Sequence, residues 1–587
     1  MYKSEVQTLP HAVDRGLTAL HSSSRPPSAR SAEAFIRTGG VAHRPPGVLR
    51  MLKRRALLQG MLAAPFALAS GRWAVSQESP PLSADYGVAS GDPRPDGVVL
   101  WTRIPERAQP PLGEAIAVRY EVATSPLFPA GSIVAAGEAV THGSVDYTVN
   151  VSAAGLAPAT RYYYRFSTAT GYQSVVGRTK TAPAPGTHPQ AVSFAFVSCQ
   201  NFTQGFYTVY AYLAQEQVDF CVHLGDNIYE RGHAGLAHGY VREDLIGGGL
   251  ATDLATYRQK YQLYLSDPYL REVRRRFPWV VLWDDHELYD NYAGSQVSQQ
   301  DPQRQRDAYT AFLEYMPVQP IEPLSADNPP RVRLYRQFVF GDLLEVFALD
   351  ERQYRDAAVC TRDMLSPGCP GLEEPTRTML GGAQVSWLQA GLQASEAQWK
   401  CLLNQVMMMR FAVIDQRGSN GSRLPISILR QPVAIGEDVY INLDAWDGYP
   451  SERAELLQFI ADQGIRNVVV CSGDVHNCFA GILRPDFEDP SRPATAVECV
   501  GGSVSSFGTA ETTGLDLTIP ARKRVPQVNP HINYLDLKYH VYTKVIVTPE
   551  YTDIRYIAVD TVSQPSARAF LLQGFIVPNG ESRLIPQ

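Results

Sequence analysis

The sequence predicts a layered α/β fold, with sheets flanked by helices, preceded by a small all-β domain. Three observations carry that expectation. From about Tyr86 to Lys180, short β-type runs alternate with Gly, Pro and Asp turn signals. Beyond residue 190, near-continuous apolar runs alternate with helical periods, as buried parallel strands and their crossovers do. Four of those apolar runs stop abruptly in clusters of Cys, Asp, Tyr and His. At 587 residues and 44% hydrophobic, the chain is long enough for more than one core.

Taken in chain order, residues 1–50 are rich in Ser, Arg and Pro and lack an apolar period, so they read as a disordered extension or a mis-assigned start ahead of Met51. Residues 51–76 carry an export signal: Lys53-Arg54-Arg55 precedes the short apolar run Gly60–Ala69, with small residues at Ala67 and Ala69. The paired arginines followed by Leu57-Leu58-Gln59 resemble the twin-arginine type. That implies the twin-arginine export machinery as a partner and a periplasmic or secreted destination. The run is too short to span a bilayer, and no later segment reaches 18 uninterrupted apolar residues, so a soluble product without stable membrane insertion is expected.

The formal charge of −6 hides an asymmetry. Residues 1–76 hold 11 of the 53 Lys/Arg and 3 of the 59 Asp/Glu, which leaves 42 basic against 56 acidic residues, or −14, in a processed chain. Such a body repels nucleic acid, which is excluded as a stable partner, so any bound phosphate must be held by locally placed cations.

Residues 84–180 form the predicted all-β domain, with strands at Val98–Trp101, Ala117–Val122 and Tyr147–Val151. The run Leu156-Ala157-Pro158-Ala159-Thr160-Arg161-Tyr162 resembles the turn into a strand of fibronectin-III-like domains, which implies a small β-sandwich. Thr181–Thr187 reads as a linker. Residues 190–565 form the second domain. Its apolar runs are Val192–Val197, Phe220–Leu224, Trp279–Trp283, Leu343–Leu349 and Val468–Cys471. Helical periods fall at Phe206–Gln217, Asp253–Leu265, Gln305–Tyr315, Gln384–Ala394 and Glu452–Gln463. Residues 566–587 are left as a C-terminal segment that, like the glycine-rich insertion 231–250, is a candidate roof for a site. Cys360 and Cys369 bracket a short loop and, in an oxidising compartment, either pair or stay free. Cys221, Cys401, Cys471 and Cys499 sit in apolar runs as core residues.

The chemistry concentrates where the runs end. The first ends in Ser198-Cys199-Gln200-Asn201, the second in Gly225-Asp226-Asn227-Ile228-Tyr229, the third in Asp284-Asp285-His286-Glu287 and the late one in Gly473-Asp474-Val475-His476. In open α/β sheets, ligands bind at the carboxyl ends of strands. So many acids in one crevice would repel one another unless multivalent cations turned them into ligands. Alone, each residue has a plainer role: an Asp at a strand end often caps a helix, and a lone Cys or Tyr usually packs. Asp284 reads as a cap or orienting group and His223 as a hydrogen-bonded core residue. Joint occurrence favours metal for the others.

Ser-Cys-Gln, Gly-Asp-Asn-Ile-Tyr, Trp-Asp-Asp-His-Glu and Gly-Asp-Val-His, in this order, resemble the PhoD-type branch of the calcineurin-like metallophosphoesterases. Tyr86–Pro93 and Leu349–Arg355 are similar to that family too, so the resemblance spans residues 84 to about 560. It implies a metallophosphoesterase β-sandwich flanked by helices. It implies that Asp226 bridges two metals, that Cys199, Tyr229 and His476 complete the first site, and that Asp285 and Asp474 face the second. A thiolate with a phenolate suits iron(III), and hard oxygen donors suit calcium, so Fe(III) and one or more Ca(II) are the implied cofactors. Asn227, Asn291 and Glu287 are further candidates for the calcium shell. His286 would protonate the leaving group or stabilise the transferring phosphoryl, and Asn201 would donate to a phosphate oxygen. Arg352 and Arg355 would either contact phosphate or pair with acids of the scaffold.

The expected activity is hydrolysis of phosphate monoesters or diesters outside the cytoplasm. Phospholipase D-like cleavage of phospholipids is the alternative on the same fold. A β-sandwich binding module with a degenerate metal site is the non-enzymatic alternative.

Overall fold

Three parallel strands set the frame: Val192–Val197, Phe220–His223 and Pro278–Val281 lie side by side, with Val197 opposite His223 and His223 opposite Val281. Their carboxyl ends are therefore level. This computed structural model describes residues 85–111, 113–233, 239–360, 366–414 and 439–587. The predicted extension and the export signal, residues 1–76, lie outside the described residues, as does part of the insertion at 231–250.

The strands alternate their side chains between two cores. Phe194 and Phe196 face a second sheet, whereas Ala195 and Val197 face helices. That second sheet runs parallel through Leu344–Ala348, Trp399–Leu403, Val468–Ser472 and Ala496–Val500. Phe194, Phe196 and Val222 meet Val346, Leu403 and Val497 between the sheets. Outside the first sheet lie the helices Leu254–Leu265 and Pro302–Tyr315. Trp283 there is fully buried and stacks on Tyr309 at 4.3 Å. Outside the second sheet lie Gly382–Ala394 and Pro450–Asp462, which bring Leu388, Leu392, Leu456 and Ile460 onto Phe347, Leu402 and Val470. The result is the expected helix–sheet–sheet–helix layering.

The helix starts follow local rules. Asp253 caps the helix at Leu254 through a reciprocal exchange with Thr256, and Asp267 accepts from the N–H groups of Tyr269 and Leu270. Pro268–Arg276 is a helix the periodicity did not announce, because three consecutive arginines at its end mask the apolar face.

The strands of the amino-terminal region divide between two sheets. Four of its strands, Ile116–Ala123, Ile133–Thr141, Arg161–Thr168 and Gly177–Lys180, make a separate sheet. Val88–Arg94, Gly97–Arg103 and Thr148–Ala154 instead extend the first sheet to ten strands, the first of them pairing parallel with Pro278–Val281. The sandwich exists, with Val88, Val98 and Leu100 packed on Val118, Tyr164 and Phe166, but one of its two layers is shared. Gly91 makes the junction possible: a Cβ there would lie 2.0 Å from the Pro317 carbonyl oxygen and 2.8 Å from that of Trp279. Next to it, Asp92 Oδ1 accepts from Arg336 Nε at 3.1 Å and Nη2 at 2.7 Å, across to the second sheet. The predicted linker is also tied down, since Ala182 N–H donates to the Arg94 carbonyl.

The carboxyl-terminal segment does not roof the site. Ala569–Pro578 pairs antiparallel along Tyr551–Val559, and Ile585–Pro586 closes that edge of the ten-stranded sheet. Cys360 and Cys369 form a disulfide, and Cys221, Cys401, Cys471 and Cys499 are buried free thiols. Among the described residues no helix is long and apolar enough to cross a membrane.

Candidate metal centre

Because both sheets run their central strands in parallel, every strand end that the sequence marks opens on one rim. Cys199 and Asp226 follow adjacent strands of the first sheet, and Asp285 follows the third; Asp474 and His476 follow Val468–Ser472 of the second. The chain turns sharply at each of these loops. Cys199, Asp226, Asp474 and His476 all adopt left-handed φ values, +59°, +60°, +65° and +54°, which non-glycine residues hold only when surroundings enforce them. Gly225, at φ +130°, passes so close to Asp284 that a Cβ would fall 2.3 Å from the Asp284 Cβ.

One group of candidate ligand atoms belongs to Cys199, Asp226 and His476, all within 4.8 Å of one another. Tyr229 joins it: its hydroxyl donates to Asp226 Oδ2 at 2.8 Å and lies 3.1 Å from His476 Nε2. His476 Nδ1 donates to the Phe507 carbonyl at 2.9 Å, which turns Nε2, the nitrogen able to bind a cation, toward this group. Asp226, Asp285 and His286 form a second group, and Asp284, Asp285 and Asp474 a third. Asp226 and Asp285 each belong to two groups, as bridging carboxylates would.

Electrostatics makes the same point. Burial, and then the Asp226 charge, pushes the Cys199 thiol well above its usual range, and the same two causes raise the Tyr229 phenol. Burial also pushes Asp226 well up and Asp474 up to about 7. Protein groups alone thus disfavour the anionic forms here, and a cation is what would restore them. Asp285 differs. Burial would raise it, but Arg352 and then His286 outweigh that and hold it below the ordinary carboxylate range. Its Oδ1 is buried and accepts no hydrogen bond, with Arg352 Nη2 3.7 Å away. The donor set therefore fits metal ions.

Several sequence assignments shift here. Arg352 is fully buried and does not open on the rim: it pairs with Asp284 and Asp444 and reaches Asp474 at 3.5 Å and Asp285 at 3.7 Å. These pairs favour the scaffold alternative over phosphate contact, because they commit its donors to carboxylates. Arg355 likewise binds Asp444 at 2.6 Å and the Tyr292 carbonyl. Glu287 has other partners: its oxygens accept from the backbone N–H groups of Asp226, Asn227 and Asp284 and from the Asn227 amide. Asn201 keeps its expected role as a donor open, since its contacts with the N–H and hydroxyl of Thr203 use only its oxygen. His223 accepts from Gly225 N–H at Nδ1 as a core residue, while its Nε2 meets no partner. Asp284, read as an orienting group, pairs with Arg352 and also belongs to the third carboxylate group.

Three contributors were missed. Glu230, fully buried, holds His286 Nδ1 at 2.6 Å. Burial opposes protonation of His286, but Asp285, Glu230 and Asp226 together push its pKa well up. Ser506 donates to Tyr229 at 2.7 Å, and Asp444 anchors both arginines. Glu230 directly follows Tyr229 and could have been read from its motif; Asp444 follows no apolar run and gave no signal.

The model of the PhoD-like phosphatase family matches residues 194–556, and that of the PhoD-like phosphatase N-terminal domain matches residues 69–183. The chain belongs to the PhoD-like phosphatase family. It is 36% identical over 517 residues to alkaline phosphatase D of Bacillus subtilis (strain 168), covering 85% of this chain and 81% of that one. The solved structure described as that of PhoD superposes with a TM-score of 0.74 at 34% identity, covering 85% of this chain and 91% of the other. This PhoD-like protein is accordingly a phosphatase, a hydrolase of phosphate esters, and the non-enzymatic alternative falls away.

Proposed function

We propose that this PhoD-like phosphatase is an exported enzyme that hydrolyses phosphate monoesters, diesters or both, with iron(III) held by Cys199, Asp226, Tyr229 and His476. Calcium would be held by Asp285 and Asp474, with Asp226 shared between the two sites. The observation that carries the proposal is the convergence of a thiol, a phenol, an imidazole and a carboxylate on one point, with Tyr229 hydrogen-bonded to both Asp226 and His476. When bound, the metal ions would supply Lewis acidity, polarising the phosphoryl group and lowering the pKa of a water. His286, whose Nδ1 is held by Glu230, would give a proton to the leaving oxygen, and the neighbouring carboxylates that raise its pKa support that role. Its ring packs on Tyr229 at 4.1 Å, which fixes the imidazole plane relative to the ligands. Arg352 balances the charge of Asp284, Asp444, Asp285 and Asp474, so these acids stay close without expelling one another.

The test is metal analysis of the exported protein beside a panel of mono-, di- and phospholipid esters. Iron with calcium, and turnover of mono- or diesters, is the expected result. A colourless, iron-free and fully active enzyme would sink the metal assignment, and preference for phospholipids would move the substrate to the phospholipase D-like reading. Export through the twin-arginine route rests on Arg54 and Arg55, so replacing both by Lys should leave the activity in the cytoplasm.

A further inference from the structure

Behind the metal-binding loops lies a small internal cavity of about 20 Å³, walled by buried residues that include His223, Arg274, Trp279 and Met316 together with Gln200 and Asn227. Three of these walls carry buried nitrogens that meet no acceptor: His223 Nε2, Arg274 Nε and Trp279 Nε1. We propose that the cavity is a halide site, holding one chloride ion against Arg274 Nε–H, Trp279 Nε1–H and His223 Nε2–H.

All three groups are donors. Arg and Trp nitrogens of this kind can only donate. In His223, Nδ1 accepts from the Gly225 N–H at 3.3 Å, so the neutral ring carries its proton on Nε2. The surroundings add an uncompensated charge. Arg274 donates to the Tyr315 carbonyl at 2.9 Å and to Met316 sulfur at 3.4 Å, and lies over the Trp101 ring at 4.8 Å. The groups around it are the phenols of Tyr164, Tyr210 and Tyr261, and no carboxylate of the described residues pairs with it. Arginines buried this deeply ordinarily have an anionic partner. Two others in this protein show the contrast: Arg336 holds Asp92, and Arg352 holds Asp284 and Asp444.

Size selects the class of anion. About 10–15 Å³ suffices for one water, so a cavity of about 20 Å³ admits a small particle, and a monatomic anion is the smallest that carries charge. A water could satisfy the donors but would leave the guanidinium charge uncompensated; a chloride answers both needs. Gln200 and Asn227 share the wall and directly follow Cys199 and Asp226 in sequence, so an occupied cavity would brace the two loops that present those residues.

The test uses the intact holoenzyme crystallised from sodium bromide, with diffraction recorded at the bromine absorption edge. An anomalous peak within hydrogen-bonding reach of Arg274, Trp279 and His223 is expected, together with a higher Tm in chloride than in gluconate at equal ionic strength. Arg274→Met should lose both the peak and the chloride-dependent shift. If that variant does not fold, Trp279→Phe, which keeps a large ring and removes one donor, should weaken the peak and lose most of the shift. Ordinary water density without bromide signal in the wild-type protein would overturn the proposal. So would a peak of undiminished height in the variants.

Discussion

Replacing His286 by alanine and Glu230 by glutamine separates chemistry from scaffolding at the metal centre. If His286 is the general acid, its loss should lower kcat on alkyl phosphate esters by roughly 10²–10⁴-fold, the usual span for such a group. Glu230 acts through it. The His286 Nδ1–Glu230 Oε2 contact is 2.6 Å, and the glutamate is wholly buried. A hydrogen bond to a charged partner contributes about 1.5–3 kcal/mol. At about 1.36 kcal/mol per decade of rate, Glu230→Gln should then lower kcat roughly 10- to 150-fold. The sign of the pH effect follows from the same contact. Carboxylates including Glu230 raise the pKa of His286, so removing that charge lowers it and moves the alkaline limb of kcat to lower pH. The assay compares kcat for alkyl and nitrophenyl esters beside metal content. Nitrophenolate leaves without a proton and should largely escape both defects. Full activity of His286→Ala on alkyl esters would refute the acid role. Loss of metal in that variant would instead make His286 a ligand, as its place in the second candidate group allows.

Three further outcomes are expected. Tyr229→Phe should bleach or shift a visible charge-transfer band in the iron-loaded protein while far-UV circular dichroism stays unchanged. Arg352→Met removes the partner of several buried carboxylates and should destabilise the protein by about 3–5 kcal/mol, read as a fall in denaturation midpoint; a raised KM at unaltered stability would return Arg352 to phosphate contact. His531, almost fully buried with Nε2 donating to the Arg410 carbonyl, is pushed down to about 3 by burial. The unfolded chain therefore binds its proton first, and stability present above pH 6.5 should be lost as pH falls toward 3, by about 2 kcal/mol at pH 5. His531→Asn should flatten that acid limb in thermal melts, and an unchanged limb would place the loss elsewhere.

Much of the architecture was legible in one dimension, for identifiable reasons. Val192–Val197 and Val468–Cys471 read as buried strands because parallel strands covered on both faces are near-continuously apolar. Their polar endings pointed to the candidate metal groups because a strand's last residue and its loop stay together in sequence: Cys199, Asp226, Asp285, Asp474 and His476 all fall in those groups. The strand Ala569–Pro578 was overlooked because it mixes exposed and buried residues at the sheet edge and lacks that signature.

The sequence by itself determined the types of donor and their attachment to strand ends, since both depend on residues within a few positions of each other. Partnership between distant residues was decided only by tertiary structure. Whether Arg352 meets substrate or scaffold depends on Asp284 and Asp444, 68 and 92 residues away. Whether the amino-terminal strands stand alone depends on Gly91 finding room beneath the Pro317 carbonyl. The physical reason is common to both: a charge or an unpaired strand edge is stabilised by whichever complement the folded chain brings within hydrogen-bonding distance, and local sequence carries no record of that complement.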